Sequence, residues 1–333
     1  MKLDPIERWS PEMSREEASW RARLTRRRFV GSALAAPALL AAAATAPTAA
    51  RAAERAYLQP QPEADWHAYL TETERRHPLA KYWYRFTPIG DDVRSALEAG
   101  PIHPDDMLPW GARAQIAEAS PPGAANGWCV LPDGSQYVAV RTRFSGCTAS
   151  MLDWWFLWAQ REEIIRYKIW NPGAHVSMSE SPTPDFQRSP DDKPYWGLSR
   201  FPVEDVGLGV ARLRLDFVRP EAFGFGAIRN GDSAVCVRVG LPNGRLKHTD
   251  MVHYARADED GFELRSRFWM ARDFEAMAGG WPIAAAVADN IFMKRRLLPQ
   301  HAARGLAWHC ATEYHHLASF LGELYGEYGQ DPL

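Results

Sequence analysis

His309 and Glu313 stand four residues apart in the segment "WHCATEYHHLASFLGELYGEY", Trp308 to Tyr328, which carries three histidines and three glutamates and reads as one long helix from about Leu306. On a helix the i and i+4 side chains project from one face, a turn apart, close enough to share a metal ion. His316 lies on nearly the same face at i+7, so spacing alone does not choose the donors. His315 and Glu323 read as solvated positions. One helix face gives two donors, and a closed site needs more. Imidazole with carboxylate suits Zn²⁺ and also accepts Fe or Mn.

The elements that must position such donors follow from the pattern. "EADWHAYLTETERRHPLAKYWYRF" has apolar residues at helical spacing and "DDVRSALEAG" ends in a glycine stop, so residues 53–125 read as a small, mainly helical N-terminal domain. "EASPPGAANG" is a linker by composition. The remainder, 126–333, opens with "GWCVLPDGSQYVAVRTRF", two β-prone runs around a turn, followed by "TASMLDWWFLWAQREE", an expected amphipathic helix. "SRFPVEDVGLG" and "GVARLRLDFVRP" read as strands. Ser233 to Met270, interrupted by "PNG" and "DEDG", reads as a three-stranded antiparallel meander. Helical segments from about Phe274 to Leu297 precede the closing helix. Strands first and a long helix last predict an α+β fold.

The chain has 333 residues, 46% of them hydrophobic and 24% charged, with material for one large or two modest domains. A net charge of −2 gives no reason to expect a nucleic acid partner. Fourteen Trp, fourteen Phe and eleven Tyr supply a heavy core or a pocket for a flat ligand. The four mature cysteines, Cys129, Cys147, Cys236 and Cys310, form no CxxC pair, and both disulfides and buried thiols stay open. Residues 1–52 read as an export signal: "TRRRFV" (Thr25 to Val30) resembles the twin-arginine motif through Arg26 and Arg27, an Ala-rich run follows, and "ARA" at 50–52 is a small-x-small cleavage site. The expected location is periplasmic or secreted, with no stable membrane insertion after cleavage.

"MLDWWFLWAQREEIIRYKIWNPGAH" (Met151 to His175), "FPVEDVG" (Phe201 to Gly207) and "HCATEYHH" (His309 to His316) together resemble the diacetylphloroglucinol hydrolase and phloretin hydrolase family, from about Gly127 to Gly326. The resemblance implies a helix-grip, Bet v 1-like domain: a curved antiparallel sheet with a long C-terminal helix laid across it and a cavity between. It implies a Zn²⁺ held by His175, Glu204, His309 and Glu313. Asp205 is the neighbouring carboxylate, and adjacent strand residues face opposite sides, so only one of the two serves. Tyr167 is implied as a hydrogen-bond partner of the substrate and His253 as the group moving a proton to the ring carbon. Two positions depart from the family pattern: Phe268, where a substrate-facing tyrosine is expected, and Asn171, where many relatives carry histidine.

The implied reaction cleaves the carbon–carbon bond between an acyl group and a polyhydroxylated aromatic ring, releasing a carboxylic acid and a phenol. The partner is a small aromatic acylphenol, and monomer and homodimer both remain open. Two rivals accompany this reading: a periplasmic helix-grip protein that holds a hydrophobic ligand without catalysis, and a metalloesterase using the same site.

Overall fold

The structure is a computed structural model that describes residues 70–159, 164–183, 186–244, 246–277 and 282–330. The export signal expected at 1–52 lies outside them. The helical stretch before the linker is broken where proline removes a donor and crowds the preceding turn. Helix α1 (Glu72–Arg75) begins on a Thr71/Glu74 capping box, and α2 (Ala80–Tyr84) restarts beyond Pro78. Helix α3 (Asp91–Glu98) buries Val93 and Leu97, one turn apart. Two 3₁₀ segments follow, Pro104–Asp106 and Trp110–Ala117. All described residues belong to one compact unit.

Two antiparallel sheets form the rest. In chain order the strands are β1 (Gly127–Val130), β2 (Gln136–Ser145), β3 (His175–Ser177), β4 (Glu180–Pro182), β5 (Leu198–Arg200), β6 (Val203–Asp205), β7 (Val210–Arg212), β8 (Arg214–Val218), β9 (Ser233–Gly240), β10 (Lys247–Asp258) and β11 (Gly261–Glu275). The large sheet runs β1-β2-β11-β10-β9-β8-β5-β4, and the small one β3-β6-β7. The expected hairpin and meander are β1–β2 and β9–β10–β11, with every neighbour antiparallel. "SRFPVEDVGLG", expected as a strand, is two: β5 ends in the large sheet and, across Phe201-Pro202, β6 begins in the small one.

The large sheet is covered on both faces, and alternation sorts its residues. Val252, Tyr254 and Trp269 pack under the second 3₁₀ segment in a core with Leu108, Ile116 and Tyr137. Trp269 Nε1–H donates to the Leu108 carbonyl at 2.8 Å, and the Arg265 guanidinium donates to the Ile116 and Glu118 carbonyls at 2.6 Å each. Met251, His253, Phe268 and Met270 take the other face and line a cavity.

Helix α4 (Ala149–Trp158) is not amphipathic as expected, because Trp154 through Trp158 are all buried. Phe156 reaches the cavity while Trp154 packs edge-on against Tyr325, at 5.1 Å. Helix α5 is Ile164–Lys168. Phe274, expected to start a helix, still belongs to β11, and the helices begin later as α6 (Pro282–Ala288) and α7 (Ile291–Leu297). The long closing helix is also two: α8 (Ala302–Ala318) and α9 (Leu321–Tyr328). The break falls at Phe320, whose backbone leaves the helical region (φ −136°) while its ring packs 4.9 Å from both Tyr82 and His316. The four cysteines are buried free thiols. No described helix is long and apolar enough to cross a membrane.

Candidate active site and metal centre

Residues from three separate stretches meet at one end of the cavity. Helix α8 presents His309 and Glu313 one turn apart, with His309 Nε2 3.6 Å from Glu313 Oε2. From the small sheet come His175 on β3 and Glu204 on β6, paired directly in the antiparallel register. His175 Nε2 lies 3.2 Å from Glu204 Oε2 and 3.5 Å from Glu313 Oε2, and His309 Nε2 lies 3.7 Å from Glu204 Oε2. Ligand atoms of His175, His309 and Glu313, all three buried, lie within 4.8 Å of one another, and the Glu204 carboxylate lies close to both imidazoles.

Both rings are turned the same way by backbone carbonyls. His175 Nδ1 is 3.1 Å from the Tyr167 carbonyl and His309 Nδ1 is 2.9 Å from the Asp205 carbonyl. A carbonyl only accepts, so each Nδ1 carries the hydrogen and each Nε2 is left for the centre, the arrangement that orients metal-binding imidazoles. His175 Nε2 is fully buried and, with two carboxylates beside it, makes no well-aligned hydrogen bond, a place that a cation would fill. The four imidazole–carboxylate separations of 3.2–3.7 Å are close to the donor–donor spacing of roughly 3.3–3.6 Å around a Zn²⁺ with bonds of about 2.0–2.2 Å. The residues therefore fit a divalent metal.

Electrostatics say the same. Burial opposes charge on every member, yet hydrogen bonds and charges within the set prevail. Burial pushes the His309 pKa down, but Glu313 and Glu204 with the Asp205 carbonyl raise it to about 9. His175 is likewise depressed by burial and raised overall by Glu204 and Glu313. Burial favours the neutral acid at Glu313, and the two imidazoles overcome this to bring it to about 2. Glu204 is lowered in the same manner. Two carboxylates that draw both imidazoles toward the protonated form set up the same charge demand that one divalent cation beside two neutral imidazoles would meet.

Tyr167 is buried and stacks flat on His175, ring centroids 4.0 Å apart, with its hydroxyl donating to Glu204 Oε2 at 2.5 Å. His253 faces the cavity, its Nδ1 2.7 Å from Ser266 Oγ. Burial, partly offset by Glu313, lowers its pKa to about 4, so the ring is neutral at pH 7. Phe268 lies 5.6 Å from it, edge to face, and brings no hydroxyl. Asn171 Nδ2 sits 3.3 Å from His309 Nδ1.

The rival donors are used elsewhere. His316 accepts the Thr87 N–H at 3.2 Å and packs against Phe86, away from the centre. Glu323 is exposed, as expected, and pairs on the surface with Lys81 and Arg85. His315 is partly buried, its Nδ1 2.8 Å from the Ala311 carbonyl. Asp205 Oδ1 accepts the Gly207 and Gly209 N–H groups at 2.8 and 2.9 Å, fixing the turn into β7.

That turn rests on α8. A Cβ on Gly207 (φ +89°) would fall 2.4 Å from Gly305 Cα, and one on Gly305 would fall 2.9 Å from Gly207 Cα. Two glycines thus let the small sheet touch the helix one turn before His309. Reading for ligands did not find Gly207, Gly305 or the roles of Asp205 and Ser266. The Asp-x-Gly spacing of "EDVG" was the available signal for the turn.

Comparison with known sequences gives this arrangement its class: the chain is a hydrolase. It belongs to the DAPG hydrolase PhiG domain family, whose pattern it matches over residues 108–326. It is 30% identical to phloretin hydrolase of Eubacterium ramulus over 266 residues, covering 78% of this chain and 93% of the relative. It is 29% identical to 2,4-diacetylphloroglucinol hydrolase of Pseudomonas protegens over 269 residues, covering 77% and 86%. A second 2,4-diacetylphloroglucinol hydrolase, from a Pseudomonas species, is also 29% identical, with 77% and 90% covered.

Proposed function

We propose that this chain hydrolyses the carbon–carbon bond between an acyl group and a polyhydroxylated aromatic ring, with a divalent metal held by His175, Glu204, His309 and Glu313. The observation that carries the reading is the joining of that donor set to an apolar cavity with a neutral histidine on its wall. Zinc, or iron or manganese in its place, would polarise the acyl carbonyl and activate water there. The fold reading that goes with it is a helix-grip domain, α8 gripping the large sheet with the substrate between.

The chain's own residues divide the remaining work. His253, neutral at working pH, accepts the proton of a ring hydroxyl on Nε2 and returns it to the acyl-bearing ring carbon. That converts the enol ring to its keto form and makes the ring carbon a leaving group. Water adds its oxygen to the acyl carbon, the carbon–carbon bond breaks, and the electron pair returns to the ring as a phenolate. Carboxylic acid and deacylated phenol result. Tyr167 holds Glu204 by its hydroxyl, and its phenol oxygen keeps a lone pair for a ring hydroxyl. Trp170 and Phe156 wall the cavity and limit water beside the reacting carbon.

The test is a panel of acylphenols, with and without ring hydroxyls ortho and para to the acyl group, incubated with metal-analysed protein. Acid release from hydroxylated members alone, lost on chelation and restored by metal, is expected. Rapid cleavage of simple phenyl esters with no cleavage of acylphenols would leave a metalloesterase, and chain-dependent binding without any turnover would leave a ligand-binding protein. Export by the twin-arginine route is proposed alongside. Lysine at Arg26 and Arg27 should strand uncut precursor in the cytoplasm, and equal export of both forms would remove that reading.

A further inference from the structure

The cavity, about 280 Å³, is longer than the chemistry at its metal end requires. On α8 its lining residues are Tyr314, Glu313, His309, Leu306 and Ala302. At 1.5 Å per residue the wall runs about 18 Å, and roughly 10 Å of that lies beyond His309 toward the helix start. The sheet gives the same direction. His253 stands near Tyr314, ring centroids 4.8 Å apart, and the lining continues through Met251 to Thr249 four residues away, roughly 13 Å along the strand. Thr249 pairs with Met270 on one side and Val239 on the other, and Val239 pairs with Leu215, so one level of the sheet presents three apolar side chains.

Two polar side chains of this wall have partners in the protein. Thr249 Oγ1 lies 2.9 Å from His248 Nδ1. Arg200 is held by Glu180 at 3.2 Å and lies over the Phe217 ring at 4.6 Å. The carboxylates and imidazoles of the metal centre lie at one end, and the level of Leu215, Val239 and Met270 offers mainly apolar contact area.

We infer that this arm is a subsite for an extended apolar chain, and that the preferred substrate carries a medium-length aliphatic acyl group in place of an acetyl. That the arm takes the acyl side rests on the reaction proposed above. The ring lies against His253, the carbonyl at the metal, and the two substituents of a carbonyl carbon point apart, so the chain runs past His309 toward Leu306. The apolar arm itself does not depend on that reaction.

The experiment measures both properties separately. Binding of uncleavable alkylphloroglucinols, from methyl through butyl and hexyl to octyl, is read by calorimetry on metal-loaded protein. Acid release is read with the matching acyl series. Each buried methylene should tighten binding about fourfold until the arm is full. Leu306→Phe and Val239→Phe, introduced on facing walls, should each move the optimum to a shorter chain. Affinity independent of chain length would overturn the arm, as would an unshifted optimum in both variants once their folding is confirmed. Chain-dependent binding with no acid release from any acylphenol would instead overturn the reaction and leave the arm standing.

Discussion

His175 and Glu204 face each other across β3 and β6, and their register alone brings Nε2 and Oε2 within 3.2 Å. A one-residue slip between these strands turns Glu204 away from the centre and brings Asp205 toward it. Asp205 is held out of that exchange, because its carboxylate caps the following turn and its carbonyl orients His309.

The acid pair should therefore separate cleanly. Glu204→Gln should weaken metal affinity at least tenfold, since it removes a charged donor from the centre. Asp205→Asn should change it far less, because an amide oxygen can still accept from Gly207 and Gly209. Competition with a coloured chelator measures both, and the reverse ranking would contradict the register.

Metal uptake should be coupled to protons. A proton resides on His309 up to about pH 9, so binding below that pH must displace it, and affinity should rise from pH 6 toward 9. The metal-free protein changes in the opposite sense over that range. His309 is raised from an ordinary 6.5, so its stabilising charge is complete below 6.5 and lost through about 9. Glu313 is lowered from 4.5, so its contribution is present above 4.5 and lost through about 2. The gap in Tm between loaded and metal-free protein should widen between pH 6 and 9. A gap that stays constant would mean the imidazoles are already neutral.

His253→Ala should lower kcat by roughly 10²–10⁴-fold while metal content stays at that of the wild type. Because the ring is neutral down to about pH 4, the His253-dependent part of kcat should be flat from pH 6 to 8. A steep fall with rising pH in that window would indicate that an imidazolium supplies the proton.

Gly305→Ala introduces a methyl group into the Gly207 backbone, not into a yielding side chain. Overpacking of this kind costs about 1–3 kcal/mol. The small sheet must move off α8, separating Glu204 from His309, so metal affinity should fall although no ligand is changed. Gly326→Ala, on α9 with open space around it, serves as the control for added helix propensity. Equal affinity in the two variants would show that the contact does not set the site.

The sequence made parts of this site readable for local reasons. His309 and Glu313 are legible because an i, i+4 pair on a helix meets whatever the tertiary structure does. Glu204 against Asp205 is a question of strand parity, answerable only once β6 has a partner. The partner, β3, lies in another segment, and a three-residue strand such as His175–Ser177 gives no period to read. The two long-helix breaks differ in cause. Pro78 was legible as a breaker, but Phe320 leaves its helix to fill a space among Tyr82, His316 and Trp155, which only packing reveals. Likewise α4 has too many aromatics for a surface helix, and its burial comes from α9 on one side and the cavity on the other. The neutrality of His253 depends on its surroundings and no spacing encodes it.

The switch between sheets at Phe201-Pro202 has a further consequence. Residues before it, with β8 to β11, shape the apolar arm, whereas β6 beyond it delivers the carboxylate to the centre. The Glu204 carboxylate and the Leu215, Val239 and Met270 wall of the arm are thus carried on different sheets joined by a two-residue hinge in the chain path. Changes at Leu215, Val239 or Met270 can drift with the available substrate while the ligands stay fixed. The same separation makes those three positions the natural starting library for redirecting the enzyme to a chosen acyl length.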